Sequence, residues 1–263
     1  MIDEVSYEAV LDQSNYSSMI HPIVLHIPHA STAIPEAFLD DYCISLKELE
    51  MEAETLGDLH TDTVFPAHRF DSVIFPYSRI LVDVERFRTD SEEPMADRGM
   101  GALYTSGHDL RIIRKQITGP RQAELLALYD EHHRALETAV EERLKTLGHA
   151  LIIDAHSFPK ERLPYEDEAT QRRPEICLGT APYHTPIALT GELERAFTSF
   201  GYDVGRDEPF SGSIVPLKCY QHDARVRSIM IEIRRDLITD LSRRKKISDD
   251  IEQVLGNIDL KGT

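Results

Sequence analysis

The chain has 263 residues, a length that suits one large α/β domain or two small ones with ample core. Its 46 acidic side chains outnumber its 29 lysines and arginines, for a net charge of −17. That balance argues against nucleic acid or an anionic membrane surface as a partner, because either needs a basic face.

The chain opens on MIDEVSYEAVLDQS, which lacks the basic end and apolar centre of a signal peptide. Residues 23–29 (IVLHIPH) read as a β-strand running into the polar turn ASTAIP. Residues 46–66 read as a helix carrying Leu49, Ala53, Leu56 and Leu59. The segment 72–86 (SVIFPYSRILVDVER) reads as two short strands or one bent strand, since Pro76 cannot donate to a central ladder. From 87 to 110 the composition is polar and contains glycine, as in a functional or mobile loop. Gly119-Pro120 opens the clearest helix, with Leu125, Tyr129, Leu136, Val140 and Leu147 at helical spacing and Gly148 at its C-terminal end. It leads into a strand at 150–155, a second polar loop at 159–174, a strand at EICLGT, a helix near 185–200, a strand at 228–238 and a last helix at 241–256. Strand and helix alternate without repeat or linker, which predicts a single α/β domain over 1–263 with a mixed, mainly parallel sheet between helices. No apolar run reaches the about 18 residues of a membrane span. Cys43, Cys177 and Cys219 form no C-x-x-C pair, so neither a disulfide framework nor a cysteine zinc site is expected, and the expected compartment is the cytoplasm.

In open α/β sheets ligands collect outside the carboxyl ends of strands. The strand ends here deliver His29, then Arg79, Asp83 and Arg86, then Asp154 and His156, then Glu232 with Arg234 and Arg235. His26 and His29 stand three apart on a strand and point opposite ways, and His29, beside the turn, is the better placed for a shared site. Asp58 and Asp62 fall on one face of the expected helix, where like charges repel unless a cation lies near. Asp154 lies two residues from His156 and could orient a neighbouring group. Two imidazoles, a carboxylate and an open fourth position form a recurrent catalytic zinc set, although the helical H-E-x-x-H signature is absent. A glutamate inside IMIEIRR needs a partner if it is buried and ionised: either Arg234, or a metal-activated water for which Glu232 is the general base.

Seven segments in register resemble the N-formylglutamate amidohydrolase family: LHIPHAST, GDLHTDTVF, FPYSRILVDVERFRTDSEEPMADRGMGALYT, YDEHHRAL, LIIDAHSFP, PEICLGT and RSIMIEIRRDL. Together they reach from residue 25 to about 240. The resemblance implies a fold similar to zinc carboxypeptidases and aspartoacylase. It also implies one zinc, or another divalent ion in its place, held by His29, Asp58 and His156. It further implies Glu232 as general base, Asp62 as an outer group or alternate ligand, and His133 of Tyr129-x-x-x-His133 facing substrate. Arg79, Arg86 and Arg98 are the candidates for binding a substrate carboxylate and stabilising an oxyanion. Members of the histidine-degradation type read Asp-x-Asn-Arg where this chain has Asp83-Val84-Glu85-Arg86, and a carboxylate at 85 would repel an acidic substrate if it faced the site. The implied reaction is hydrolysis of the amide of a small N-formyl amino acid, N-formyl-L-glutamate first. The alternatives are a deacylase or carboxypeptidase-like amidase on another N-acyl amino acid or small peptide, and a metal-binding protein without turnover. A phosphate-binding α/β protein is disfavoured because no glycine-rich strand-to-helix loop of the right form is present.

Overall fold

The computed structural model describes residues 20–166 and 172–258. Its strands are β1 (Ile23–Ile27), β2 (Ser72–Ile74), β3 (Ala150–Phe158), β4 (Ile176–Thr180), β5 (Val204–Arg206) and β6 (Val226–Arg234). They form one sheet in the order β2-β1-β3-β6-β4-β5. β2, β1, β3 and β6 are parallel, β4 runs antiparallel to β6, and β5 is parallel to β4. The helices are α1 (Leu46–Leu56), α2 (Thr61–Val64), α3 (Gly119–Leu147), α4 (Ile187–Ser199) and α5 (Leu241–Gly256). None is long and apolar enough to cross a membrane.

β1 and β3 are buried at every position, as their near-continuous apolar sequences require of strands covered on both faces. Ile23, Leu25 and Ile27 pack with Leu151, Ile153, Ile229 and Ile231 against Leu193 and Phe197 of α4 and Ile251 and Leu255 of α5. On the alternate positions Val24, Ala150, Ile152 and Val226 pack against Leu136 and Val140 of α3. Each such side chain contributes about 1.5–3 kcal/mol on burial, before the cost of ordering it. Further along the same two-residue alternation the α3 face changes character: His26, Asp154, His156 and Glu232 replace the aliphatics. α3 buries Leu125, Tyr129, His132, Leu136, Val140 and Arg143, a stripe at steps of three and four. That stripe brings His132, rather than His133, over the polar end of the sheet.

The expected elements differ most in three places, and the strand expected at 228–238 also ends at Arg234 and gives way to a 3-10 turn at Arg235–Leu237. The expected helix 46–66 ends at Leu56, resumes only as α2, and leaves Asp58 in the intervening turn. A Cβ at Gly57 would lie 2.7 Å from the Ala53 carbonyl oxygen, so the chain leaves α1 where only glycine fits unstrained. Asp58 and Asp62 therefore do not share a helix face. The segment 72–86 is strand only at 72–74. Beyond Pro76 the chain is held by turns such as Leu81 N–H donating to Ser78 O at 2.9 Å. The segment 87–110 is packed rather than loose: Met100, Ala102 and Tyr104 are buried and residues 94–98 form a 3-10 turn.

Candidate metal centre

His29 follows β1 and His156 lies on β3, and their rings stand 5.1 Å apart between centroids. Asp58 is drawn to them because its N–H donates to the His29 carbonyl at 2.7 Å, tying the turn after α1 to the end of β1. Asp58 Oδ2 is 2.9 Å from His156 Nδ1 and 3.5 Å from His29 Nδ1. All three residues are buried, and their potential ligand atoms lie within 4.8 Å of one another.

The far nitrogen of each ring meets its own carboxylate. His29 Nε2 is 2.9 Å from Asp83 Oδ1, and His156 Nε2 is 3.1 Å from Asp154 Oδ1. Carboxylates so placed fix the tautomer in which Nδ1 is the free lone pair, the arrangement seen behind metal-binding histidines. Both are themselves anchored. Asp83 accepts from Tyr104 Oη at 2.7 Å, Arg79 Nη2 at 2.8 Å and Glu85 N at 3.0 Å. Asp154 accepts from Ile214 N at 3.0 Å and pairs with His26 Nδ1 at 2.9 Å. His29 Nδ1 is buried and, among the described residues, has no hydrogen-bond partner. A buried imidazole nitrogen turned toward a carboxylate and a second imidazole fits a divalent cation, and the donor set suits zinc.

Charge supports the same reading. Burial alone would raise the Asp58 carboxyl, but its hydrogen bond with His156 and the nearby His29 imidazole hold it below its ordinary range. Burial opposes charge on His156, yet Asp154 and Asp58 raise its imidazole well above the ordinary value. Two buried carboxylates thus draw positive charge to the point between them and the rings.

Glu232 lies opposite His156 across β3 and β6 and opposite Cys177 across β4 and β6. It is 7 % exposed, and its Oε2 has no hydrogen-bond partner among the described residues. Burial pushes its carboxyl up to about 8, with His156 acting downward and Asp58 upward. Arg234, the expected structural alternative, is instead paired with Asp236, its Nε 2.6 Å from Oδ1.

The remaining expected residues divide. Arg79 is committed to Asp83 and so braces His29. Arg86 borders the group, its Nε without a hydrogen bond and 3.6 Å from Asp83 Oδ2. Arg98 is exposed and donates to the Tyr165 carbonyl. His133 stacks on Tyr129 at 4.1 Å and meets the Val84 carbonyl through Nε2 at 2.8 Å. Asp62 is exposed and outside the converged group.

The structure adds residues to which the reading above assigned no role in the site. Arg235 donates to Asp58 Oδ1 from Nη2 at 3.2 Å and to the Thr55 carbonyl from Nη1 at 2.6 Å. Its position one residue past β6, beside Glu232, was the available signal. His26, Glu85 and His132 form a second polar group behind Asp154, with His26 Nε2 2.8 Å from His132 Nε2. A third group, Glu52 with His108, is closed by Arg111 and braces the loop at 107–111.

An α/β sheet that gathers buried imidazoles and carboxylates at its strand ends defines an enzyme-like fold with a centre suited to a cation. A sequence model of the N-formylglutamate amidohydrolase family matches residues 21–239, and the chain belongs to that family. No curated protein matches it. Among solved structures it is similar to N-formylglutamate amidohydrolase from Ralstonia eutropha JMP134. The identity is 19% and the TM-score 0.72, with 90% of this chain and 92% of that chain covered. It is also similar to gene product Atu2144 from Agrobacterium tumefaciens, at 18% identity and a TM-score of 0.66 with 89% of each chain covered. Those likenesses show the fold. Membership indicates an amidohydrolase acting on a small molecule, with hydrolysis of N-formylglutamate as the reaction at family level.

Proposed function

We propose that this chain is a zinc-dependent amidohydrolase that cleaves the amide of an N-formyl or N-acyl amino acid, N-formyl-L-glutamate first. The observation that carries the reading is the convergence of His29, Asp58 and His156 beside a buried Glu232 whose Oε2 has no hydrogen-bond partner among the described residues. His29, Asp58 and His156 would hold one ion per chain, and such an ion would supply Lewis acidity. Glu232 takes the proton of the attacking water and returns it to the departing nitrogen, a task suited to a carboxyl held near neutral pH. Arg235 steadies Asp58, Asp83 and Asp154 orient the two rings, and Arg86, which borders the group, is the guanidinium assigned to the substrate carboxylate. In this reading His133 and Arg98 line the approach from α3 and from the 94–98 turn, Asp62 lies beyond the ligand shell, and residues 1–263 act as one domain. The acidic composition and three dispersed cysteines support a cytoplasmic setting.

A second reading keeps the chemistry and changes the substrate to another N-acyl amino acid. The carboxylate of Glu85, 3.9 Å from His156 Nε2, is the observation that favours it. Formate release from N-formyl-L-glutamate is measured on the purified protein, then after chelation, then after zinc is restored. Release that follows the metal supports the first reading. Retained zinc without release moves the substrate to other N-acyl amino acids, and absence of both overturns the metallohydrolase.

A further inference from the structure

His26 is a buried imidazole one residue from the end of β1, on the α3 face of the sheet. Its Nδ1 lies 2.9 Å from Asp154 Oδ1 and 3.1 Å from Glu85 Oε1, so one N–H stands between two carboxylates. The hydrogen bond is aligned on Asp154, and Glu85 Oε1 is buried with no aligned donor of its own. On the other side His26 Nε2 is 2.8 Å from His132 Nε2, a separation that requires one proton between the two nitrogens. The groups facing His26 are therefore two anions and a neutral-compatible acceptor, which is the setting of an imidazolium. Burial lowers the tendency of His26 to hold charge, but the carboxylates of Asp154 and Glu85 push it up to about 9, while His132 is held well below its ordinary value by burial and by His26.

Glu85 is the residue this pairing acts on. Its side chain is 18% exposed, it borders His156, and it precedes Arg86, the guanidinium offered to a substrate carboxylate. A free carboxylate here would compete for Arg86 and repel an acidic substrate. We propose that His26 is a specificity-determining positioning residue, a buried cation that draws the Glu85 carboxylate onto the histidine shell so that the site accepts a substrate bearing a second carboxylate. The inference rests on the amidohydrolase reading and deepens it: the anionic wall that Glu85 would present to an acidic substrate is neutralised from behind by His26.

The test compares wild type, His26→Gln, Glu85→Gln and the double variant on N-formyl-L-glutamate and its neutral analogue N-formyl-L-glutamine. Glutamine at position 26 keeps a donor for Asp154 and removes the charge. His26→Gln is expected to lower the glutamate-to-glutamine ratio of kcat/KM about tenfold, through KM rather than kcat. The double variant is expected to recover the ratio to within about threefold, and Glu85→Gln alone to leave it unchanged or raised. A His26→Gln loss shared equally by both substrates, a double variant that stays low, or a fall in Glu85→Gln alone overturns the proposal. Calorimetric binding of L-glutamate and L-glutamine to the zinc-loaded variants reads the same ratio without turnover. If neither formyl amide is cleaved yet the binding ratio shifts as stated, the deformylase reading fails and the pairing stands. If the ratio does not shift, or L-glutamate does not bind at all, the pairing fails.

Discussion

Glu232 is held neutral to about pH 8 by burial, and His26 is held charged to about pH 9 by its carboxylates, so both bind a proton more tightly in the folded chain than in the unfolded one. For a group of that kind the stabilisation is complete below its unfolded pKa and is lost as pH rises through the folded one. For Glu232 the window runs from 4.5 to about 8, and for His26 from 6.5 to about 9. Chelated protein should therefore lose stability between pH 4.5 and about 9, by about 1.4 kcal/mol per pH unit for each group within its window. Glu232→Gln should flatten that decline, and denaturant midpoints across the range check it. In the zinc-loaded enzyme the same substitution should cut kcat about 10²–10⁴-fold with zinc content unchanged by mass spectrometry. A variant that loses zinc in step with activity would make Glu232 a ligand instead.

At the scale of elements, the centre depends on where α1 stops. Ser45 and Glu48 start that helix with a reciprocal capping box, and Gly57 ends it one residue before Asp58. Gly57→Ala would place a Cβ 2.7 Å from the Ala53 carbonyl oxygen and 3.5 Å from the His29 carbonyl oxygen, backbone atoms that give way only if the turn moves. The expected cost is about 1–3 kcal/mol of stability together with about 10–100-fold weaker zinc binding in chelator competition. Ser45→Ala should cost about 1 kcal/mol and leave zinc affinity unchanged, because it acts at the far end of the helix. Equal zinc affinity in Gly57→Ala would sever the link between the helix end and the site.

Over the whole molecule, the centre joins β1, the α1–α2 turn, the 78–86 segment, β3 and β6. An ion held there binds the folded chain and has no preformed site in the unfolded one, so zinc at about 100 times its dissociation constant should stabilise the fold by about 2.7 kcal/mol. His156 must shed its proton to coordinate, so uptake should release protons and weaken as pH falls. Calorimetry in buffers of differing ionisation enthalpy measures both effects. Zinc uptake with neither stabilisation nor proton release would place the ion away from His156.

The strands and long helix were legible in sequence because their periodicity is local: IVLHI, ALIID and the apolar stripe of 119–147 need only the alternation and 3.6-residue rules. His29, Asp154, His156 and Glu232 were legible too, since polar residues ending apolar strands collect where α/β sheets bind ligands. Tertiary structure alone decided which side chains meet. Helical spacing already puts His132 rather than His133 on the stripe through Leu125, Tyr129, Leu136 and Val140, but only the packing of α3 against the sheet brings it to His26. Asp58 turns inward because its N–H finds the His29 carbonyl, a partner 29 residues earlier in the chain. Arg235, His26 and Glu85 take their roles from charges delivered by other elements, and Coulomb energy depends on distance in space, which sequence separation does not reveal.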